Sequence, residues 1–164
     1  MILSRLTPPP LKEIALETAN GHQIPNAQLQ EISQFERNQF RDLERKYGAE
    51  VTLRSVPTPR YNCHGMTFAT RRTGIFETSA IRNILSDDSY EEIEPDDVLP
   101  GDVILYVGDD GDVEHSGIVV SIPKKPLLSI PLVCSKWGKY AEFLHRANFG
   151  PYNFANARYY RVKP

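Results

Sequence analysis

The sequence is short of several things at once. It has two cysteines, one tryptophan and no excess of one charge: 19 basic against 21 acidic residues leave a net charge of −2. Two cysteines make no disulfide framework. A near-balanced charge gives no reason to expect nucleic acid or an anionic membrane as partner. No run of residues is apolar enough to cross a bilayer as a helix. The first ten residues, which end in Pro8-Pro9-Pro10, lack the apolar stretch of a signal peptide and read as an extended arm. The expected setting is therefore the reducing cytoplasm with both thiols free, with signal-independent export as the alternative. There is no internal repeat and no low-complexity block. Proline is the one excess, 13 residues of 164, and the length suits one domain with a single core.

The first half of the chain reads as helical. Residues 11–19 fit a short helix stopped by Gly21. Residues 26–47 fit a long one, capped by Asn26 and ended by Gly48, with Leu29, Ile32, Phe40, Leu43 and Tyr47 near one face. Residues 50–56 alternate as a short strand. Helices are expected over 63–72, closed by Thr73-Gly74, and over 78–86. Then the texture changes. Tyr90–Ile93, Val103–Val107, Val113–Ser121, Ile130–Ser135 and Ala157–Val162 read as strands, with a tight turn at Asp109-Asp110-Gly111-Asp112 and a reversal at Pro123–Pro126. Helices before strands predict an α+β fold: an antiparallel sheet with helices packed on one side.

The two cysteines differ in placement. Cys134 sits inside the strand-like Leu132–Ser135 and reads as plain packing. Cys63 sits where a proline-rich turn gives way to a helix, so its thiol is expected at a helix N-terminus. Unpaired backbone N–H groups there favour the thiolate. They also suit a developing oxyanion. Gly65 keeps the first turn uncrowded. A thiolate nucleophile wants a base close in space. His22 reads as solvated. His64 is adjacent in sequence, and adjacent helical residues point about a quarter-turn apart, which argues for a polar helix-face role. His115, on the strand after the Asp-Gly turn with Gly117 leaving room on the same face, is the better candidate.

These pieces carry a resemblance. Tyr61-Asn62-Cys63-His64-Gly65 resembles the Tyr-Asp-Cys-Ser-Gly signature of NlpC/P60 cysteine peptidases. Leu99-Pro100-Gly101-Asp102-Val103-Ile104 is similar to their Pro-Gly-Asp strand entry, and His115-Ser116-Gly117-Ile118-Val119 to their histidine strand. The match runs over residues 57–140, so residues 1–56 read as an N-terminal arm and helical extension and 57–164 as the catalytic core. The resemblance implies a papain-like thiol hydrolase, without cofactor or metal, that cleaves an amide bond in a peptide or protein substrate. It implies Cys63 as nucleophile, His115 as general base and Tyr61 as the residue that polarises the substrate carbonyl. The third residue, which orients the imidazole, falls to Ser135 on the strand that follows, a weak orienting group, with His145 as the alternative. Asn62 and His64 depart from the signature beside the nucleophile, which implies a different substrate choice.

Three rivals stand beside this reading. A metal site built from Cys63, His64, His115 and Cys134 lacks the ligand spacings that structural zinc prefers. A binding module would keep the cleft without the chemistry. A deamidase or acyl transferase would use the same thioacyl intermediate. Asp109–Asp112 lacks the loop length of a calcium site. Arg71-Arg72 reads as a solvated helix end, and Asp102 as a brace for the strand entry.

Overall fold

The computed structural model describes residues 12–124 and 130–164. The arm expected over residues 1–10 and the second half of the Pro123–Pro126 reversal lie outside the described residues. The fold is α+β. Seven strands form one antiparallel sheet: β1 (Thr52–Leu53), β2 (Tyr90–Ile93), β3 (Val103–Val107), β4 (Val113–Ser121), β5 (Leu132–Lys136), β6 (Glu142–Arg146) and β7 (Arg158–Val162). Their spatial order is β1-β6-β5-β4-β3-β7-β2. The helices among the described residues are α1 (Gln34–Tyr47), α2 (Cys63–Phe68) and α3 (Thr78–Asp87), with one 3-10 turn at Pro95–Asp97.

Strands β2, β3 and β4 lie where the alternation predicts them, and the Asp109–Asp112 turn joins β3 to β4. Three expectations fail for local reasons. Residues 12–19 form no helix; they fold back on 23–28 through the bridges Lys12–Gln28 and Glu17–Gln23, with Gly21 at φ +80° in the turn. The long helix begins at Gln34, not near Asn26. Ser33 and Glu36 form a reciprocal capping box there, Ser33 Oγ accepting from the Glu36 N–H and the Glu36 carboxylate from the Ser33 N–H. Asn26 is buried instead and ties Ile14 to Thr73. Helix α2 stops at Phe68 because Thr70 and Arg71 turn left-handed, at φ +48° and +64°, and the Arg71 N–H returns to the Gly65 carbonyl.

Register sorts the sheet's side chains between its faces. Cys134 pairs with Ile118 and Leu144, and these three pack with Met66 under α2. Val103 and Leu105 pack with Ala69 of the α2 end and with Ile81 and Ile84 of α3. On the opposite face, Ile104, Tyr106, Val119 and Val133 are covered by the C-terminal segment through Ala147, Tyr152 and Phe154. Helix α1 packs on that opposite side too: Leu43 and Tyr47 meet Trp137 and Phe143, and Phe40 stacks on Tyr140 with centroids 4.6 Å apart. The helices therefore do not share one side of the sheet. Residues before 57 pack into the same body, since β1 pairs with β6 and Ala27 bridges to Gly74.

Candidate functional site

The site begins with Asn62. Its Oδ1 accepts the Gly65 N–H at 2.9 Å and the Ile75 N–H at 3.1 Å, while its Nδ2 donates to the Ile75 carbonyl at 2.6 Å. An aspartate could accept both N–H groups but could not donate. The asparagine thus caps α2 and clamps it to the turn at Ile75, a structural reason for this departure from the signature. Gly65 has one as well. A Cβ there would lie 1.8 Å from the Thr73 carbonyl oxygen, so only glycine lets the two segments touch.

Cys63 follows at the first position of α2, buried at 6% exposure, on the wall of a cleft of about 320 Å³. Tyr61, His64, Phe76, Val113, Lys139 and Tyr152 also line that cleft. The helix has six residues rather than the ten expected, so its dipole is small. Two imidazoles take over. Burial alone would push the Cys63 thiol up; His64 and His115 beside it outweigh burial and bring it well below the usual thiol value.

The two histidines are held differently. His64 is buried, and its hydrogen-bond partners bear on its charge. Thr67 donates its only hydroxyl proton to the Cys63 carbonyl, 2.9 Å away. The 3.0 Å contact between Thr67 and Ser116 must then use the Ser116 proton. Ser116 Oγ can only accept from His64 Nδ1, at 2.9 Å, and the Val113 carbonyl can only accept from His64 Nε2, at 3.2 Å. An acceptor thus faces each ring nitrogen, which favours the doubly protonated form of His64. Burial would lower its pKa, but the adjacent Cys63 wins and raises it, in agreement with those partners.

His115 is fully buried; neither nitrogen has a close hydrogen-bond partner among the described residues, and the Cys63 thiol acts on its ring. A bulge aims it. Tyr106 pairs with His115, but the next β3 residue, Val107, pairs with Val113, so Glu114 is extra. The ring stacks flat on Tyr152, centroids 3.4 Å apart at 5°, with Tyr106 at 5.3 Å. Burial lowers its pKa, Cys63 pulls it up, and His64 adds to the lowering. Cys63 thus lies beside one histidine whose pKa is raised and one whose pKa is lowered.

The other anticipated residues are placed differently. Ser135 gives its hydroxyl proton to His145 Nε2 at 2.7 Å, because His145 Nδ1 donates to the Arg146 carbonyl at 2.8 Å. Neither residue bonds to His115. The Tyr61 hydroxyl donates to Glu142 at 2.7 Å, and burial followed by that carboxylate pushes its pKa up to about 12. Its proton is committed to Glu142 rather than facing the cleft. Arg71 is no solvated helix end: it grips the same Glu142 with two bonds of 2.6 and 3.0 Å. Cys134 completes this group, its Sγ 3.7 Å from Glu142, and burial and that carboxylate push its thiol up to about 11. Asp102 braces the strand entry through the Leu99 N–H and a bidentate pair with Arg161. His22 stays exposed and pairs with Asp87.

Sequence reasoning missed Lys136, Glu142 and Tyr152. Lys136 is fully buried; its ammonium donates to the Thr58 and Gly138 carbonyls at 2.8 and 2.9 Å and lies 4.8 Å over the Tyr61 ring. It ties together two loops that border the cleft. Burial pulls its pKa down to about 8, against the pull of Cys63 and Glu142. The available signal was parity, since Lys136 sits two residues from the buried Cys134 on one face. Among the described residues, no three Cys, His, Asp or Glu side chains converge as a metal-binding set. Comparisons with protein-family models, curated proteins and solved structures return no match.

Proposed function

We propose that this chain is a thiol hydrolase of the papain-like, NlpC/P60 kind, which cleaves an amide bond through a thioacyl intermediate. The observation that carries this reading is the pairing at Cys63: one neighbouring histidine with an acceptor at each ring nitrogen, the other buried with its ring nitrogens engaged by nothing but the thiol. The first, as a cation, stabilises a thiolate. The second is the one able to move a proton.

In the proposed cycle His115 takes the Cys63 proton, and the thiolate adds to the carbonyl carbon of the substrate. The C–N bond breaks as His115 returns the proton to the leaving nitrogen. Water, deprotonated by His115, then opens the thioester, releasing the acid and restoring the thiol. His64 keeps its protons throughout. Its charge favours the thiolate and makes protonated His115 a readier acid toward the leaving amine. Tyr61 and Lys136 hold the cleft walls, and neither Ser135 nor His145 is needed to orient His115, which Tyr152 and Tyr106 wedge in place.

The test is alkylation of the reduced protein by iodoacetamide across pH 4–9, mapped by mass. Cys63 is expected to react with a midpoint clearly below the ordinary thiol value of about 8.5. His64→Ala should move that midpoint up by about one unit or more. His115→Ala should move it less and abolish turnover of amide substrates. If Cys63 titrates as an ordinary thiol and ignores both substitutions, the nucleophile reading is lost and a binding role for the cleft takes its place.

A further inference from the structure

A second depression adjoins the cleft. It has a volume of about 950 Å³ and shares Leu29 and Pro59 with the walls around Cys63, so the two lie side by side. Four cationic side chains line it, Lys12, Arg60, Arg71 and Arg72, and no aspartate or glutamate does. Arg71 is engaged by the buried Glu142. Lys12, Arg60 and Arg72 have no carboxylate partner among the described residues. Arg72 is steadied by the Ala69 carbonyl and the Thr70 hydroxyl. The concentration of charge is local, because the whole chain carries a net charge of −2. A concave surface of one sign focuses its field and raises the local concentration of the opposite charge.

We infer that this groove is the substrate-binding extension of the Cys63 cleft and takes a peptide segment rich in carboxylates. This rests on the thiol-hydrolase reading of Cys63. Acidic peptide is favoured over nucleic acid by the lining itself. It has no aromatic side chain on which a base could stack, but it has glutamine and threonine side chains suited to peptide amides. Because the groove and the cleft meet at Leu29 and Pro59, one extended chain that crosses these two residues would lie in the groove with its scissile bond at the thiol.

Binding can be read apart from chemistry. In a Cys63→Ala protein, fluorescence anisotropy would compare fluorescein-labelled hexaglutamate, hexaglutamine and a six-residue oligothymidylate. Hexaglutamate is expected to bind about tenfold tighter than hexaglutamine at low salt, and the preference should fade near 0.5 M salt. The double variant Arg60→Gln, Arg72→Gln should remove most of it, whereas Arg37→Gln, Arg41→Gln on exposed α1 positions should not. On the Cys63 protein, hexaglutamate capped with an iodoacetyl group should label Cys63 about tenfold faster than its glutamine counterpart, and the same double variant should erase the difference. Equal binding of the two peptides overturns the proposal. So does an oligothymidylate that binds tighter than hexaglutamate, or acidic binding that brings no faster labelling of Cys63. Because the anisotropy arm uses Cys63→Ala, a groove that fails there is distinguishable from a thiol that fails the iodoacetamide titration.

Discussion

On the face of the sheet beneath α2, Glu142, Lys136, Cys134 and Ser116 are buried, and each has a hydrogen-bond partner. On the other face Ser135 and His145 satisfy each other, but His115 and the Trp137 indole nitrogen are buried with none among the described residues. The same low dielectric surrounds both sets, so the contrast lies in their roles. A paired buried group fixes geometry and is missed when its partner goes. An unpaired one weakens the fold and persists only where something else requires it. The two cysteines follow the same division: Cys134 belongs to the paired set with its thiol pushed up, and Cys63 faces the unpaired histidine with its thiol pulled down.

The largest effect should come from the paired face. Glu142→Ala strands the Tyr61 hydroxyl and the Arg71 guanidinium, and should cost about 3 kcal/mol, read as a fall in the urea midpoint. Acid provides a second reading of the same residue. Burial would raise the Glu142 pKa, but its bonds from Arg71, Tyr61 and Cys134 outweigh burial and hold it below 4.5. Its stabilisation is therefore present above that value and disappears as pH falls through the lower folded value. Glu142→Gln should flatten stability across that window; an unchanged slope would deny the carboxylate its role.

A smaller loss is expected for Asn62→Asp. Both N–H contacts survive, but a carboxylate oxygen then faces the Ile75 carbonyl, at a cost of about 1–2 kcal/mol. The smallest change should come from the unpaired face. His115→Phe keeps an aromatic ring between Tyr106 and Tyr152 and removes two unsatisfied nitrogens. The melting temperature should hold or rise by a few degrees while amide turnover is abolished. A melting temperature several degrees lower would mean that His115 has a structural partner after all, and the division between the faces would not stand.

The strands were legible because β3 and β4 alternate and the Asp-Gly turn joins them. The start of α1 was legible in principle: Ser33-Gln34-Phe35-Glu36 spells a capping box, but the apolar stripe from Leu29 drew the boundary too early. β6 was missed because Glu142 and His145 break up the apolar pattern of its five residues, although both are buried. The placing of Cys63 and His115 near each other follows from motif order. The surroundings of His64 do not, since they depend on Thr67 and Ser116 meeting across elements 49 residues apart. Arg71 and Glu142 are 71 residues apart, and no local pattern announces such a pair.

The extra residue at Glu114 has a consequence for how the hairpin is counted. Two residues apart on a regular strand, Val113 and His115 would point the same way. With Glu114 between paired positions, Val113 joins the cluster of Ala80, Ile81 and Ile84 while His115 points to the opposite face. The bulge acts as a parity switch. It separates the phase of the turn, fixed by Gly108 and Gly111, from the phase of the strand that carries the histidine. Gly111, at φ +86°, and the odd residue are then the positions that must stay, and the face on which the histidine sits no longer follows from the phase of the turn.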